Sequence, residues 1–160
     1  MRRALLALAA VALVGTGVGL TTSVPVLSVS GGKNAFVGHV RDGDMLVYSY
    51  RQSIYEVTVW EEFERAGDRL RLVRVRAEDI RAVEYFRWDS PIRQESTYFV
   101  ADAPPTELLE LVIRISPGAQ QRIRSSGWST FLEERFGEAV ISVKLERPPV
   151  LLAFARGMTW

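Results

Sequence analysis

The residues that could do chemistry in this chain are few. His39 is its one histidine, and cysteine is absent. A Ser-His-acid triad would have to use His39 with Ser49 or Ser53 as nucleophile, yet neither serine lies in a G-x-S-x-G turn. One histidine without cysteine also falls short of the ligands of a conventional zinc site. The sequence therefore predicts a solvated or hydrogen-bonded His39, and leaves hydrolysis by Ser53 or His39 as a minor hypothesis.

Carboxylate and nucleotide motifs are equally sparse. Glu61 and Glu62 are adjacent, and adjacent residues on a strand face opposite sides, so the two do not hold one cation without help. There is no G-x-G-x-x-G and no G-x-x-x-x-G-K-[ST]. The formal net charge is only +1, which gives no nucleic-acid footprint. We predict a non-enzymatic domain with no cofactor, no metal and no nucleic-acid partner.

Two clusters of side chains could still bind something. Arginines alternate with apolar residues in RLRLVRVR, residues 69–76. This alternation favours arginines that lie on a solvated sheet face and pair with Glu and Asp of neighbouring strands. An anion-binding site is the less favoured interpretation. Aromatic residues crowd two predicted strands, where core and cross-strand packing is favoured over a ligand cleft or a partner surface. These aromatic residues are Tyr48, Tyr50, Tyr55, Trp60 and Phe63.

Alternation of apolar and polar residues predicts an all-β domain from Val24 onward. We expect a small antiparallel β-sandwich or partly open barrel, in which strands between about Phe36 and Arg76 pair as consecutive hairpins. In RLRLVRVR the apolar positions change phase between Leu72 and Val73, which indicates a β-bulge. The strands predicted most directly by period two are Leu46–Arg51, Tyr55–Phe63, Leu109–Ile115 (with Leu109, Leu111, Ile113 and Ile115 inward) and Glu138–Glu146 (with Ala139, Ile141, Val143 and Leu145 inward).

Three further segments complete the predicted elements. TFLEERFG predicts a short helix with Thr130 as N-cap, Glu133 completing a capping box and Gly137 ending it. The stretch from Trp88 to Glu107 has few periodic apolar positions and is predicted to be a long loop. The C-terminal PPVLLAFARGMTW is predicted to be a last strand that closes the sheet. The alternative is an interfacial contact through its Phe154 and Trp160.

The N-terminal segment predicts the compartment. Arg2 and Arg3 precede an uncharged apolar run from Ala4 to Leu20, a pattern typical of export. We interpret residues 1–23 as a signal peptide or membrane anchor and residues 24–160 as an extracytoplasmic β domain. A retained anchor gives a single-pass protein of the cell membrane whose domain faces outside the cytoplasm. Cleavage gives a secreted or periplasmic one.

One segment of the chain has an aromatic strand, then polar positions, then a glutamate before an aromatic residue. It covers residues 46–78 and reads LVYSYRQSIYEVTVWEEFERAGDRLRLVRVRAE. In this order the segment resembles the domain of unknown function 1850 family. Gln52 stands where that family usually has histidine, and Thr58 where it has proline. The residues at the family's other positions are Tyr50, Ser53, Val59, Glu61 and Phe63.

The resemblance implies an accessory role and no reaction. Members of that family often have an N-terminal membrane segment and tend to be encoded beside membrane subunits of tripartite ATP-independent (TRAP) transporters that use TAXI-type solute receptors. The leading hypothesis is therefore a domain that docks on the transporter membrane subunit or its TAXI receptor. Its candidate binding or structural motif is Tyr50, Gln52, Ser53, Val59, Glu61 and Phe63.

An alternative from another class is a carrier. Such a domain would hold a small apolar or anionic ligand between its sheets. Trp60, Tyr50 and Trp88 are the predicted lining residues of that site.

Overall fold

The computed structural model describes residues 22–157, which form an all-β domain of two antiparallel sheets. The all-β prediction is confirmed, and the arrangement is compatible with a β-sandwich. The predicted membrane or signal helix falls on residues that lie outside the described range. Between residues 22 and 157, none of the helices has the length and apolar character needed to cross a membrane.

Eleven strands and three short helices make up residues 22–157. The small sheet has the strand order β2-β1-β11-β8, and the large sheet the order β10-β9-β3-β4-β5-β7-β6. In chain order the elements are β1 (Val26–Gly31), β2 (Asn34–His39), β3 (Met45–Arg51), β4 (Thr58–Ala66), β5 (Arg69–Ala77), α1 (Ile80–Glu84), β6 (Arg93–Glu95), β7 (Tyr98–Leu108), β8 (Leu111–Arg114), β9 (Arg122–Ser125), β10 (Trp128–Phe131), α2 (Leu132–Phe136), β11 (Val140–Glu146) and α3 (Val150–Ala155).

The predicted run of consecutive hairpins is only partly correct. β3 pairs with β4 and β4 with β5, as expected from the Gly67-Asp68 turn, where Gly67 has a φ of 68°. β2 and β3 do not pair, because β2 belongs to the small sheet and β3 to the large one. The Asp42-Gly43 turn therefore carries the chain from one sheet to the other. Turn residues indicate where a chain reverses but not which sheet it joins next.

The two sheets meet across one main core. Inward residues of β11 and β1 pack there with inward residues of β3, β4 and β9, and Ile141 and Val143 are almost completely buried, as predicted. Ala139 and Leu145 pack against the same core, also as predicted. The prediction that Leu109 points inward is wrong, since this residue is 59% exposed. Its position is the turn between the end of β7 at Leu108 and the start of β8 at Leu111.

The β-bulge predicted in β5 is confirmed. Phe63 is opposite Leu72 while Glu62 is opposite Arg74, so Val73 is the extra residue between them. The register of β5 against β7 shifts at the same place. Because the bulge changes the phase once, Leu72 and Val75 both point into apolar surroundings on one face of the sheet.

The prediction of a long loop from Trp88 to Glu107 is wrong. The segment contains β6 and most of β7, which forms the outer edge of the large sheet with β6. Pro104 and Pro105 hide this strand from a periodicity test. They lie in β7 between Asp102 and Thr106, which are the last β7 residues paired with β5 on either side of an interruption of the ladder. No N–H donor is needed within that interruption.

The predictions for the C-terminal segment and for the start of the TFLEERFG helix are also corrected. The C-terminal segment forms the helix α3 rather than a closing strand, with Pro149 at its N-cap. A short apolar run does not distinguish a strand from a helix by periodicity. The helix of TFLEERFG forms as α2, and Gly137 ends it with a φ of 64°. Thr130, however, lies in β10, and α2 starts after Phe131 without a side-chain cap.

Two smaller apolar clusters lie outside the main core. On one, α1 covers the large sheet through Ala82 and Val83, which pack with Val59 and Val75. On the other, α3 covers the outer face of the small sheet, where Ala153 packs on Val26 and Val37.

Candidate functional site

An open cleft of about 510 Å³ lies where β3 ends. Its walls come from the last residues of β3, the loop that joins β3 to β4, and the segment between β8 and β9. We call it the tyrosine-glutamine cleft. The residues that line it are Tyr48, Tyr50, Arg51, Gln52, Ser53, Glu56, Ser116, Pro117, Gly118, Ala119 and Gln121.

The loop between β3 and β4 is closed by two backbone hydrogen bonds. The Gln52 N–H donates to the Val57 carbonyl at 2.9 Å, and the Glu56 N–H donates to the Gln52 carbonyl at 2.8 Å. Glu56 has a φ of 57°, the left-handed conformation that lets the chain reverse so tightly. Ser53 and Glu56 are exposed at the rim as a result.

The opposite wall is fixed by Gln121, which is buried. Its Oε1 accepts from the Ser116 N–H at 2.8 Å, and its Nε2 donates to the Tyr48 hydroxyl at 2.7 Å and to the Arg114 carbonyl at 2.9 Å. The Arg51 N–H also donates to the Ala119 carbonyl at 2.7 Å. Sequence reasoning missed Gln121, because the pair Gln120-Gln121 after a Pro-Gly turn gives no pattern that singles out one glutamine.

Gln52 differs from Gln121 in one respect. It is 8% exposed, and its Oε1 is buried without a hydrogen-bond donor among the described residues. Buried polar atoms in folded proteins nearly always have a partner, so an acceptor without one calls for an explanation. The side chain of Gln52 lines the cleft, but this oxygen itself is covered, so a bound molecule supplies the missing donor only when the residues over it move.

The two tyrosines of the cleft have altered acidity. Burial raises the pKa of Tyr48 to about 12, although the hydrogen bond with Gln121 lowers it. Burial, followed by the nearby Glu61 carboxylate, raises the pKa of Tyr50 well above its ordinary value. Both hydroxyls therefore keep their protons at neutral pH. They are suited to hydrogen bonding and aromatic contact and not to acid-base chemistry.

Glu61 lies behind Tyr50. It is opposite Tyr48 across the β3–β4 ladder, which directs it to the same face as the tyrosines. Burial raises the pKa of the Glu61 carboxyl, and the hydrogen bond from the Tyr50 hydroxyl offsets part of this. Glu61 therefore supports the position of Tyr50 from within the sheet.

Glu62 points to the other face, as its spacing predicts. Its side chain is 6% exposed, and its two oxygens are each 2.8 Å from a guanidinium Nε, that of Arg74 and that of Arg76. The Arg76 guanidinium lies 5.2 Å from the centre of the Trp60 ring and 5.0 Å from that of Tyr98. The cross-strand pairing of arginines with carboxylates is confirmed for these residues, and the cluster holds the sheet together.

The structure divides the predicted motif into two groups. Tyr50, Gln52 and Ser53 line the cleft, with Glu61 behind them. Val59 and Phe63 are completely buried in two different apolar clusters, so their contribution is packing.

The predicted lining of a carrier site is brought together only in part: Tyr50 and Trp88 pack against the same apolar cluster, and Trp60 does not. Trp60 is opposite Ser49 and so faces away from Tyr50. Trp88 packs with Phe86, 5.0 Å between ring centres, in the cluster under α1. The three side chains therefore do not share one cavity.

His39 ends β2 in the small sheet, whereas the candidate nucleophiles Ser49 and Ser53 lie in and just after β3 of the large sheet. The Ser126 hydroxyl donates directly to the Asp44 carboxylate, without an imidazole between them. The pKa of His39 is lowered by burial first and by Arg41 second. The backbone carbonyl of His39 accepts from Trp128 Nε1 at 2.8 Å. Within residues 22–157, no three His, Cys, Asp or Glu side chains are grouped to hold a metal ion.

No protein-family model, curated protein or solved structure matches this chain. The fold and the site therefore define its class: an all-β domain of two antiparallel sheets with an open, tyrosine-lined polar cleft at one end of the large sheet.

Proposed function

We propose that this chain is a non-enzymatic extracytoplasmic β-sandwich that binds a partner protein through the tyrosine-glutamine cleft. Its apolar N-terminal segment, Ala4–Leu20, tethers it to the outer face of the cell membrane. The observation that carries the binding role is the open cleft itself, to which Gln52 contributes a side chain whose buried Oε1 has no donor among the described residues.

The energetic argument starts from the cost of that oxygen. A buried acceptor without a partner costs about 1–3 kcal/mol. A partner that displaces the residues covering Gln52 Oε1 and presents an N–H or O–H to it recovers this free energy on binding. The ring of Tyr50 beside it offers apolar contact and loses little side-chain entropy. The cleft therefore suits a polar segment of a partner, held between the loop at Ser53 and the turn at Gly118.

The partner we propose is a TRAP transporter of the TAXI type, either its membrane subunit or its solute receptor. Support for this choice comes from the resemblance of Leu46–Glu78 to the domain of unknown function 1850 family. Since no family model matches the chain, this part of the proposal rests on the residues of that segment alone. Tyr50, Gln52 and Ser53 belong both to that segment and to the cleft.

A second candidate is a small polar ligand in the same cleft. Its volume of about 510 Å³ is in the range of small-molecule sites. The ligand would have to present a donor to Gln52 Oε1, so this carrier differs from one lined by Trp60 and Trp88. Native mass spectrometry of the purified full chain would reveal such a ligand as a defined added mass that Gln52→Met removes.

Affinity purification tests the partner proposal. The tagged full chain and two variants are purified from solubilised membranes: Gln52→Met, which removes the acceptor, and Gln94→Met, a matched change at an exposed glutamine of β6. We expect wild type and Gln94→Met to retain the transporter subunit or receptor, and Gln52→Met to retain at least about tenfold less, the equivalent of 1.4 kcal/mol. Absence of any transporter component with wild type, or equal recovery with Gln52→Met, would contradict the proposal.

A further inference from the structure

The C-terminal helix α3 exposes apolar side chains beside the start of the described chain. Its Ala153 is completely buried against the small sheet, whereas Leu151 is 40% and Leu152 43% exposed. Successive helical residues are about 100° apart, which places Leu151 almost directly opposite Ala153. With Phe154, which is 52% exposed, Leu151 and Leu152 give α3 a contiguous exposed apolar face, and such a face is a candidate contact surface.

The position of α3 indicates what covers it. The Val150 N–H, at the start of the helix, donates to the Thr22 carbonyl at 2.9 Å. The Val24 N–H donates to the Pro148 carbonyl at 3.1 Å, and Ser23 forms a β-bridge with Pro149. Two hydrogen bonds thus join Thr22 and Val24 to the chain at the start of α3, with Ser23 opposite Pro149 between them. The apolar run Ala4–Leu20 ends two residues before this junction.

We propose that α3 is a membrane-contacting helix, and that the outward face of Leu151 and Leu152 lies in the interfacial region of the lipid bilayer. This rests on the proposed tether. If the chain leaves the bilayer just before Thr22, the hydrogen bond from the Val150 N–H to the Thr22 carbonyl keeps the start of α3 close to the membrane surface. The exposed Arg147 precedes the helix and suits a lipid headgroup beside the apolar face, while Arg156, which follows the helix, pairs with Glu146 at 3.2 Å.

The junction and the cleft lie at opposite ends of the large sheet. The turn at Gly67 and Asp68, where β4 ends, shares a small pocket with Pro25 and Arg147, which flank the junction. The tyrosine-glutamine cleft is at the other end of β3 and β4. Seven residues of β3 span roughly 20 Å. The cleft is therefore about one strand length from the junction, measured along the strands, and α3 does not cover it.

Spin labelling of the full chain in a bilayer tests this contact. The chain has no cysteine, so Leu151→Cys and Ile54→Cys each accept one nitroxide. Ile54 is the matched control, because it is an apolar residue, 60% exposed, in the loop beside the cleft. The proteins are reconstituted in vesicles of phosphatidylcholine and phosphatidylglycerol in equal amounts. Collision of the label is measured with molecular oxygen, which concentrates in lipid, and with a water-soluble nickel complex.

At position 151 we expect a ratio of oxygen to nickel accessibility several-fold above that at position 54. High nickel accessibility at both positions would overturn the contact. Low accessibility to both reagents at 151 would also overturn it, because residues 1–21 or a second copy would then cover α3. Flotation of the same vesicles separates the two proposals: protein that floats with a water-exposed 151 refutes only the contact, and protein that does not float refutes the tether itself.

Discussion

Two glutamines in one cleft have opposite hydrogen-bonding states. Gln121 makes three hydrogen bonds, to Ser116, Tyr48 and Arg114, and so joins β8, β9 and β3. Gln52 leaves its side-chain oxygen without a donor. A structural role explains the first residue and not the second, because a side chain kept only for stability would be better replaced by an apolar one.

Replacing Gln52 separates stability from binding. We expect Gln52→Met to raise the free energy of unfolding by about 1 kcal/mol, because the buried acceptor is replaced by an apolar group of similar length. Gln121→Met is the contrasting control. It leaves three polar groups without their partner and should lower stability by about 2–4 kcal/mol. Urea denaturation measures both, and a loss of stability in Gln52→Met would show that the oxygen is satisfied in solution.

Two glutamates of β4, Glu62 and Glu64, are expected to contribute differently to stability. Glu62 is buried between Arg74 and Arg76, whereas the pair of Glu64 with Arg71 is largely exposed. We expect Glu62→Ala to lower the free energy of unfolding by about 2 kcal/mol, less than for a fully buried pair, because both arginines retain partial contact with water. Glu64→Ala should cost less than about 1 kcal/mol. Equal losses in thermal or chemical unfolding would refute the distinction.

Glu61 predicts a pH dependence. Burial raises its pKa, so the folded domain keeps this proton in a pH range where the unfolded chain has lost it. The corresponding stability is fully present below the unfolded-state pKa and is lost as pH rises through the folded-state pKa. Glu61→Gln stays neutral and can still accept from Tyr50.

The measurement for Glu61 is the free energy of unfolding of wild type and Glu61→Gln across the pH range. We expect similar values at about pH 4, near the ordinary pKa of glutamate, and a more stable variant at about pH 8. Glu138→Gln, at an exposed side chain, controls for the loss of one negative charge. A variant that is less stable than wild type at pH 8 would mean that the ionised carboxylate is favourable where it lies.

At the scale of elements, periodicity succeeded where a strand has one wet face and one buried face. It located β3, β4, β5 and β11, and even the bulge at Val73. It failed for β7, where two prolines fall in an interruption of the ladder, and for α3, whose apolar run is too short to show a period. Local pattern therefore predicts a strand where apolar and polar residues alternate, even across a bulge, and fails where prolines or a short run remove the alternation.

One contact between elements holds the edges of the two sheets together. Trp128 of β10 packs edge to face with Phe36 of β2, with 5.0 Å between ring centres. Its indole also lies directly over Gly38, where an added methyl group would overlap it. We expect Gly38→Ala to lower stability by about 1–3 kcal/mol.

A double-mutant cycle checks the cause of that loss. Combining Gly38→Ala with Trp128→Leu removes the overlapping ring, so the two losses should not add, and the coupling should exceed about 1 kcal/mol. Additive losses would place the cost of Gly38→Ala in the backbone of β2 and not in the indole.

At the scale of the whole molecule, the sequence predicted fold class better than topology. Alternation assigns residues to faces, but pairings such as β3 with β9 join distant segments and carry no local signal. The cleft illustrates the limit. Tyr50, Gln52 and Ser53 were candidates from one continuous segment, whereas the wall at Gln121 became part of the site only through folding.

The small sheet predicts how the chain responds to truncation. β11 lies between β1 and β8, so a chain that ends at Ala139 lacks the strand that joins them. We expect this chain to remain unfolded by circular dichroism and amide exchange. A chain that ends at Pro149 keeps the eleven strands of the described residues and loses α3 and the residues after it, and should fold with lower stability because Val26 and Val37 lose their cover. Native-like amide protection in the shorter chain would contradict this expectation.

The pairing of β1 with β11 also has a consequence for biosynthesis. The ribosome makes one of these strands near the beginning of the described chain and the other near its end. The small sheet cannot close, and the main core cannot be sealed, until synthesis has passed Glu146. A nascent chain passing through a translocation channel would therefore stay loose enough to thread until almost all of it had emerged.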